Sequence, residues 1–286
     1  MAKLISLLCG LCLIAGTQIA YSHDYAAGLE NSAWNLDPAP LRCRLWQAVP
    51  RYGEVGFEAK SGEEQRFYVE SERPVVAKGN ADIKVVAPFW RPGIEPKELG
   101  SVKSAMGKRP LNLGKEWADR FLDELQVGLS PSFLIMGWHD NHRVEVDVSA
   151  VNFQDAYLGY MSCLASLYPA NFDQLKNTTV NFDTDKWRLT KAMKERLDLI
   201  AGYVSLDPEV NKIFVHGHTD SVGRRGHNWE LSRLRSKAVM DYLMDKGVEP
   251  SMLGMNYWGE TRPKVKNSNV KNKAINRRVY VSMVKS

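Results

Sequence analysis

From Thr178 to the end of the chain the hydrophobic period switches repeatedly between two and about 3.6 residues, and each switch fixes an element. TTVNFDT (178–184) reads as a strand. LTKAMKERLDLIAGYVS (189–205) sets Met193, Leu197 and Ile200 on one helical face. NKIFVHGHTD (211–220) returns to strand, and NWELSRLRSKAVMDYLMDKGV (228–248) returns to helix, with Gly247 as its stop. SMLGMNYWGE (251–260) and NRRVYVSMVK (276–285) read as two further strands. The order is β-α-β-α-β-β. Two βαβ-type units of this kind predict a sheet with helices on one face, an α+β sandwich over residues 171–286.

The preceding part has a different grammar. LRCRLWQAV (41–49), GEVGFEA (53–59), EQRFYVES (64–71) and ADIKVVAPF (81–89) are short, rich in β-branched and aromatic residues, and broken by Gly, Pro and Ser. LGKEWADRFLDELQVG (113–128) predicts a helix, with Trp117, Phe121 and Leu125 at i, i+4 and i+8. SFLIMGW (132–138) and HRVEVDVSAV (142–151) follow as strands, then FQDAYLGYMSCLASLYP (153–169) as a helix ended by Pro169. This predicts a β-rich domain over residues 23–170. A membrane barrel, the competing architecture, needs at least about eight alternating segments of about ten residues. The segments here are shorter and carry Arg42, Arg44, Glu54, Glu58 and Lys60.

Location follows from the first residues. MAKLISLLCGLCLIAG has one cation, Lys3, then an apolar run too short to span a bilayer. Ala20 and Ser22 place small residues at −3 and −1, so residues 1–22 read as a cleaved secretory signal peptide. Leu8 and Leu11 precede Cys9 and Cys12, where a lipoprotein signal wants a small residue. Export predicts a periplasmic chain. Cleavage leaves Cys43 and Cys163, and two cysteines in an exported chain predict one disulfide between them, the alternative being two separate buried thiols. A net charge of +5 on 286 residues is modest and calls for no nucleic-acid partner.

VHGHTDSVG (215–223) poses the functional question. His216, His218 and Asp220 alternate, so on a strand they share one face, as zinc ligands would. An HxHxD zinc site would want a further His where Ser221 stands, and ligands from farther along the chain. Outside this pair the mature sequence offers His23, His139, His142 and His227, and none after His227. No Ser-His-Asp, paired-carboxylate or phosphate-loop pattern stands out. The expectation is no metal, no cofactor and no enzymatic activity.

The second reading starts at Asp220, at the end of a strand, and runs through a Gly-rich turn into a helix carrying Arg235, with Asn228 placed as its N-cap. An acid and an arginine on adjacent elements make a salt bridge, or they bracket a zwitterion. In the second case aspartate accepts from an ammonium and the guanidinium fork holds the carboxylate bidentately.

VHGHTDSVGRRGHNWELSRLRSKAVMDYLMDKGV, YWGETRPKVKN and NRRVYV together resemble the OmpA-like peptidoglycan-binding domain family, over about residues 171–286. The resemblance implies that Asp220 and Arg235 bind diaminopimelate of the peptidoglycan stem peptide. It further implies that Thr219, Asn228, Leu231, Asn276 and Arg277 line the groove, and that Phe182 is the aromatic of the first strand. Asn272-Lys273 stands where that family has Gly-Arg; Asn accommodates the left-handed backbone a Gly would supply. Trp187 would sit near the groove entrance.

PRYGEVGF and the cysteine pair, ahead of such a domain, are similar to the MotY-type family of periplasmic flagellar-motor proteins. That resemblance implies a scaffold in a ring (the T ring) of the basal body, with a MotX-like partner. It implies anchoring to the wall and support of sodium-driven stator complexes.

Overall fold

The computed structural model describes residues 23–138 and 142–286. The signal-peptide expectation for residues 1–22 and the candidate ligand His139 fall outside them.

The first half is built from β1 (His23–Ala26), β2 (Trp34–Ala39), β3 (Arg42–Val49), β4 (Gly53–Lys60), β5 (Arg66–Ser71), β6 (Gly79–Val86), β7 (Lys97–Ser104) and β8 (Leu111–Leu113). Then come α1 (Lys115–Gln126), β9 (Ser130–Met136), β10 (Arg143–Asp147) and α2 (Phe153–Ser166). The strands form two five-stranded sheets, β1-β10-β9-β6-β7 and β2-β3-β4-β5-β8. Among the described residues each sheet has two open edges, so these strands do not close into a barrel. Among the described residues no helix is long and apolar enough to cross a membrane.

Alternation makes the core. On β3, Cys43, Leu45, Gln47 and Val49 point inward while Arg44 and Trp46 do not. Phe57 packs edge-on against Phe67 in the same sheet, and Phe67 meets Phe133 of the other sheet and Phe121 of α1, in stacked and edge-on pairs 4.7–5.3 Å apart. β1, β2, β7 and β8 are strands that the periodicity did not reveal. β1, β2 and β7 are edge strands; β2 carries Pro38, and KELGSVKS of β7 is largely exposed. Backbone pairing holds them, helped by a few half-buried side chains on the core: Tyr25 of β1, Trp34 and Leu36 of β2, and Leu99 and Val102 of β7.

Gln47 is the polar exception on that inner face. Its Nε2 donates to the Ser149 carbonyl (3.1 Å) and its Oε1 accepts from the Ser149 N–H (2.8 Å). The side chain acts as one residue of a strand ladder, 102 positions away in sequence. Gln47→Leu removes both bonds: the Ser149 carbonyl keeps its Trp34 Nε1 donor (2.9 Å), but the Ser149 N–H loses its acceptor. It is expected to cost about 2 kcal/mol, read as a lower urea midpoint with an unchanged slope.

Cys43 and Cys163 are joined by a disulfide, with Cα atoms 5.9 Å apart, which ties β3 to α2.

The second half comprises α3 (Phe172–Leu175), β11 (Asn177–Asn181), α4 (Lys191–Leu206), β12 (Val210–Gly217) and α5 (Arg225–Asp245). It continues with β13 (Leu253–Tyr257), α6 (Val270–Asn276) and β14 (Arg278–Lys285). Buried side chains here form a second cluster, from Ala170 to Met283, distinct from the one that ends at Cys163. The sheet order is β11-β14-β12-β13. β12 and β13 are parallel, joined through α5, and β14 lies antiparallel between β11 and β12. The α+β class and the strand–helix alternation agree with the sequence reading.

Two local expectations are corrected. Asn228 is not the N-cap of α5: the helix starts a turn earlier, Arg224 occupies the cap, and the Asn228 N–H donates to the Arg224 carbonyl (3.0 Å) inside the helix. Asn272 is not left-handed but lies within α6, whose cap is Asn269.

Candidate functional site

Antiparallel pairing of β14 with β12 and β11 decides the site. The start of β14 lies beside the end of β12 (Gly217 opposite Val279) and the end of β11 (Asn181 opposite Arg278). The residues just outside these strand ends, Asp220, Phe182 and Arg277, therefore converge. α5 packs over the same corner because Gly217 has no side chain: a Cβ there would lie 2.2 Å from the Ser232 carbonyl oxygen of α5. Small residues continue that contact. Ser232 Oγ accepts from the Gly259 N–H (2.9 Å), and Ser236 Oγ donates to the Asn256 carbonyl (3.0 Å).

Arg235 sits in the middle of the face that α5 buries, between Leu231 and Val239, and is 0% exposed. Its Nε donates to the Lys186 carbonyl (2.8 Å), Nη1 to His218 (3.0 Å) and Nη2 to Asp183 (3.0 Å). Its guanidinium lies 5.1 Å from the centre of the Phe182 ring. Burial pulls the group down to about 10, against the opposing pull of Asp220, so it stays charged at neutral pH.

Asp220 is 5% exposed. Oδ1 accepts from the Val222 N–H (3.1 Å), and Oδ2 accepts from Arg277 Nη1 in a 3.0 Å ion pair. Arg277 Nε also donates to the Phe182 carbonyl (3.0 Å). In this state the carboxylate is partnered by Arg277 and not by Arg235.

Around these groups lies a cavity of about 160 Å³. Thr219, Asp220, Asn228, Leu231, Arg235 and Arg277 all line it, and Thr219 Oγ1 is buried there without a hydrogen-bond partner. Two of the expected residues lie elsewhere. Phe182 sits behind the Arg235 guanidinium. Asn276 is buried and braces the preceding loop, accepting from the Lys264 and Val265 N–H groups and donating to the Val265 carbonyl and Asn267 Oδ1. Trp187 is 41% exposed and does not line the cavity.

Sequence reasoning did not find Asp185 and His227, whose Oδ1 and Nε2 lie within hydrogen-bond distance (2.6 Å) at the cavity wall, nor Thr184. The usable signal was NFDTDKW itself, since a polar loop after a strand end can fold over a neighbouring helix.

His216, His218 and Asp220 do not converge. β12 ends at Gly217, so strand alternation no longer orients the residues beyond it. The two histidines line a separate cavity on the other side of the sheet, while Asp220 faces the α5 side. Burial, with Arg278 nearby, pushes His218 down to about 3 and keeps it neutral.

As assembled, the cavity presents one buried carboxylate between two guanidinium groups. Three of the five N–H groups of Arg235 are committed to carbonyls, which leaves two for a ligand. Such a site suits a small group that brings both a cation for Asp220 and an anion for the arginines.

Comparison with known proteins gives a MotY N-terminal domain model matching residues 25–169 and an OmpA family model matching residues 181–277. The sodium-type flagellar protein MotY of Vibrio parahaemolyticus is 27% identical over 275 residues, covering 95% of this chain and 94% of its own length. The peptidoglycan-associated lipoprotein of Haemophilus influenzae is 37% identical over 92 residues, 32% of this chain and 60% of its own. Among solved structures, the C-terminal domain of Helicobacter pylori MotB aligns at 26% identity and a TM-score of 0.36, over 38% of this chain and 85% of that one.

Proposed function

The chain belongs to the MotY family by its N-terminal domain, and from that premise we propose that it is a non-enzymatic periplasmic scaffold of the flagellar motor that grips peptidoglycan. The ligand is the zwitterionic end of diaminopimelate in the stem peptide. Its ammonium displaces Arg277 from Asp220. The freed Arg277 and the two uncommitted N–H groups of Arg235 then take the carboxylate.

The observation that carries this reading is the shared cavity of Asp220, Arg235 and Arg277, with opposite charges inside one small buried volume. The half up to about residue 170 is assigned to assembly. Its partners are a MotX-like protein and the ring proteins of the basal body, and through them the stator complex. The size of the whole-length match to the Vibrio protein supports that assignment.

Asp220→Asn tests it, because the amide keeps the size and the bond from Val222 but loses the charge. The mature variant is expected to co-sediment with purified sacculi at least about tenfold less well, a loss of about 1.4 kcal/mol or more. As the sole copy in the cell it is expected to reduce swimming. Wild-type retention on sacculi would reject the groove, and wild-type retention with lost swimming would separate motor assembly from wall binding.

A further inference from the structure

The helices of the second half cover one face of its sheet, and the buried Val180, Val215, Val279 and Val281 lie beneath them. Alternation sends their neighbours to the opposite face. There Thr179, Tyr280 and His216 stand side by side in register across β11, β14 and β12. One step further along, the His218 N–H donates to the Arg278 carbonyl (2.9 Å), which sets those two residues opposite each other. Together with Trp258 and Arg262 from the loop after β13, they line a cavity of about 350 Å³.

The charge of this cavity is one-sided. Arg278, Arg262 and Lys264 line it, and no carboxylate does. Arg278 is 8% exposed, yet among the described residues its guanidinium makes only two long hydrogen bonds, to the Asn276 (3.5 Å) and Arg262 (3.3 Å) carbonyls. Among the described residues none of the three cations has an acidic partner. A buried guanidinium without a counter-ion is costly, and an anionic ligand relieves that cost.

Two further features suit a ligand. His218 is 5% exposed, and its Nδ1 is buried with no hydrogen-bond partner. The Arg262 guanidinium is held 3.5 Å from the centre of the Trp258 ring, which fixes its donors at the cavity mouth.

We infer that this open sheet face is a second ligand site, for a carboxylate or phosphate oxyanion carried on an uncharged body about the size of one sugar. Arg278 and Arg262 hold the oxyanion, and the His216–Tyr280 ring pair, 5.9 Å apart, flanks the body. The site shares no lining residue with the Asp220 cavity, so it stands independently of the diaminopimelate reading.

The test is calorimetric titration of the mature protein with glucuronic acid, glucose 1-phosphate and glucose. Both anions, or one of them, are expected to bind, and glucose at least about tenfold more weakly; the tighter anion identifies carboxylate or phosphate as the source. His216→Glu introduces a carboxylate into the cavity. It is expected to lower anion affinity at least tenfold while the melting temperature holds or rises. Arg262→Ala, at an exposed position, is expected to weaken binding severalfold without unfolding the chain. Asp220→Asn is expected to leave it unchanged. Absence of binding by both anions, equal binding of glucose, or wild-type affinity in both His216→Glu and Arg262→Ala overturns the proposal.

Discussion

Replacing Arg235 with alanine is expected to lower the unfolding free energy by roughly 3–5 kcal/mol and to abolish retention on sacculi. The size of the effect comes from what the guanidinium holds. It satisfies three backbone carbonyls, those of Asp183 and Lys186 in the loop after β11 and that of His218 after β12, on two separate segments at one corner of the sheet. Alanine leaves the Lys186 and His218 carbonyls without this donor, while the Asp183 carbonyl keeps the Lys186 N–H, and it opens a cavity beneath Phe182. The loop at residues 183–186 then loses its tie to α5, and with it the wall that carries Thr184 and Asp185. Arg235→Lys keeps a charge but not the fork. It is expected to fall between the two in stability while still failing to bind. Urea denaturation and sacculus co-sedimentation read the two effects separately. Near-native stability of Arg235→Ala would show that the carbonyl contacts are dispensable. Because Asp220→Asn is expected to remain folded, lost binding there cannot be ascribed to unfolding.

The second large effect lies in the other half. Breaking the Cys43–Cys163 disulfide, by reduction or by a double Ser substitution, is expected to cost about 4–5 kcal/mol in the chain-entropy account, given a sequence separation of 120. Both cysteines belong to the first apolar cluster and neither to the second. The loss is therefore expected to appear as a downward shift of one melting transition, with the transition of the second half in place. Calorimetry with and without reductant reads this directly. A common shift of both transitions would mean that the two cores unfold as one unit.

How far the sequence carried can be judged from particular residues. The long helix around Arg235, the strand ending near Asp220 and the strand beginning near Arg277 were all legible, because each rests on a period repeated within a few neighbours. The short segments were not. β1, β7, β8 and α6 carry little apolar periodicity, and their pairing partners or packing neighbours set them. The same limit shows at Asn228. A good capping side chain was available, yet the helix ran a turn past it, and its amide was spent on Glu260 instead.

The sequence by itself determined the order of elements, their apolar faces and which charged residues stand at strand ends. Only the tertiary structure decided who meets whom. It set β14 between β11 and β12, so that Arg277 pairs with Asp220 across 57 positions. It ended β12 at Gly217, which sends the two histidines and Asp220 to opposite sides of the sheet. It also turned Arg235 from a free fork into a group tied to three carbonyls. The reason is one of range. Periodicity is set by backbone sterics over a few residues, whereas a charged group's partner is settled by competition among every donor and acceptor that folding brings within about 3 Å.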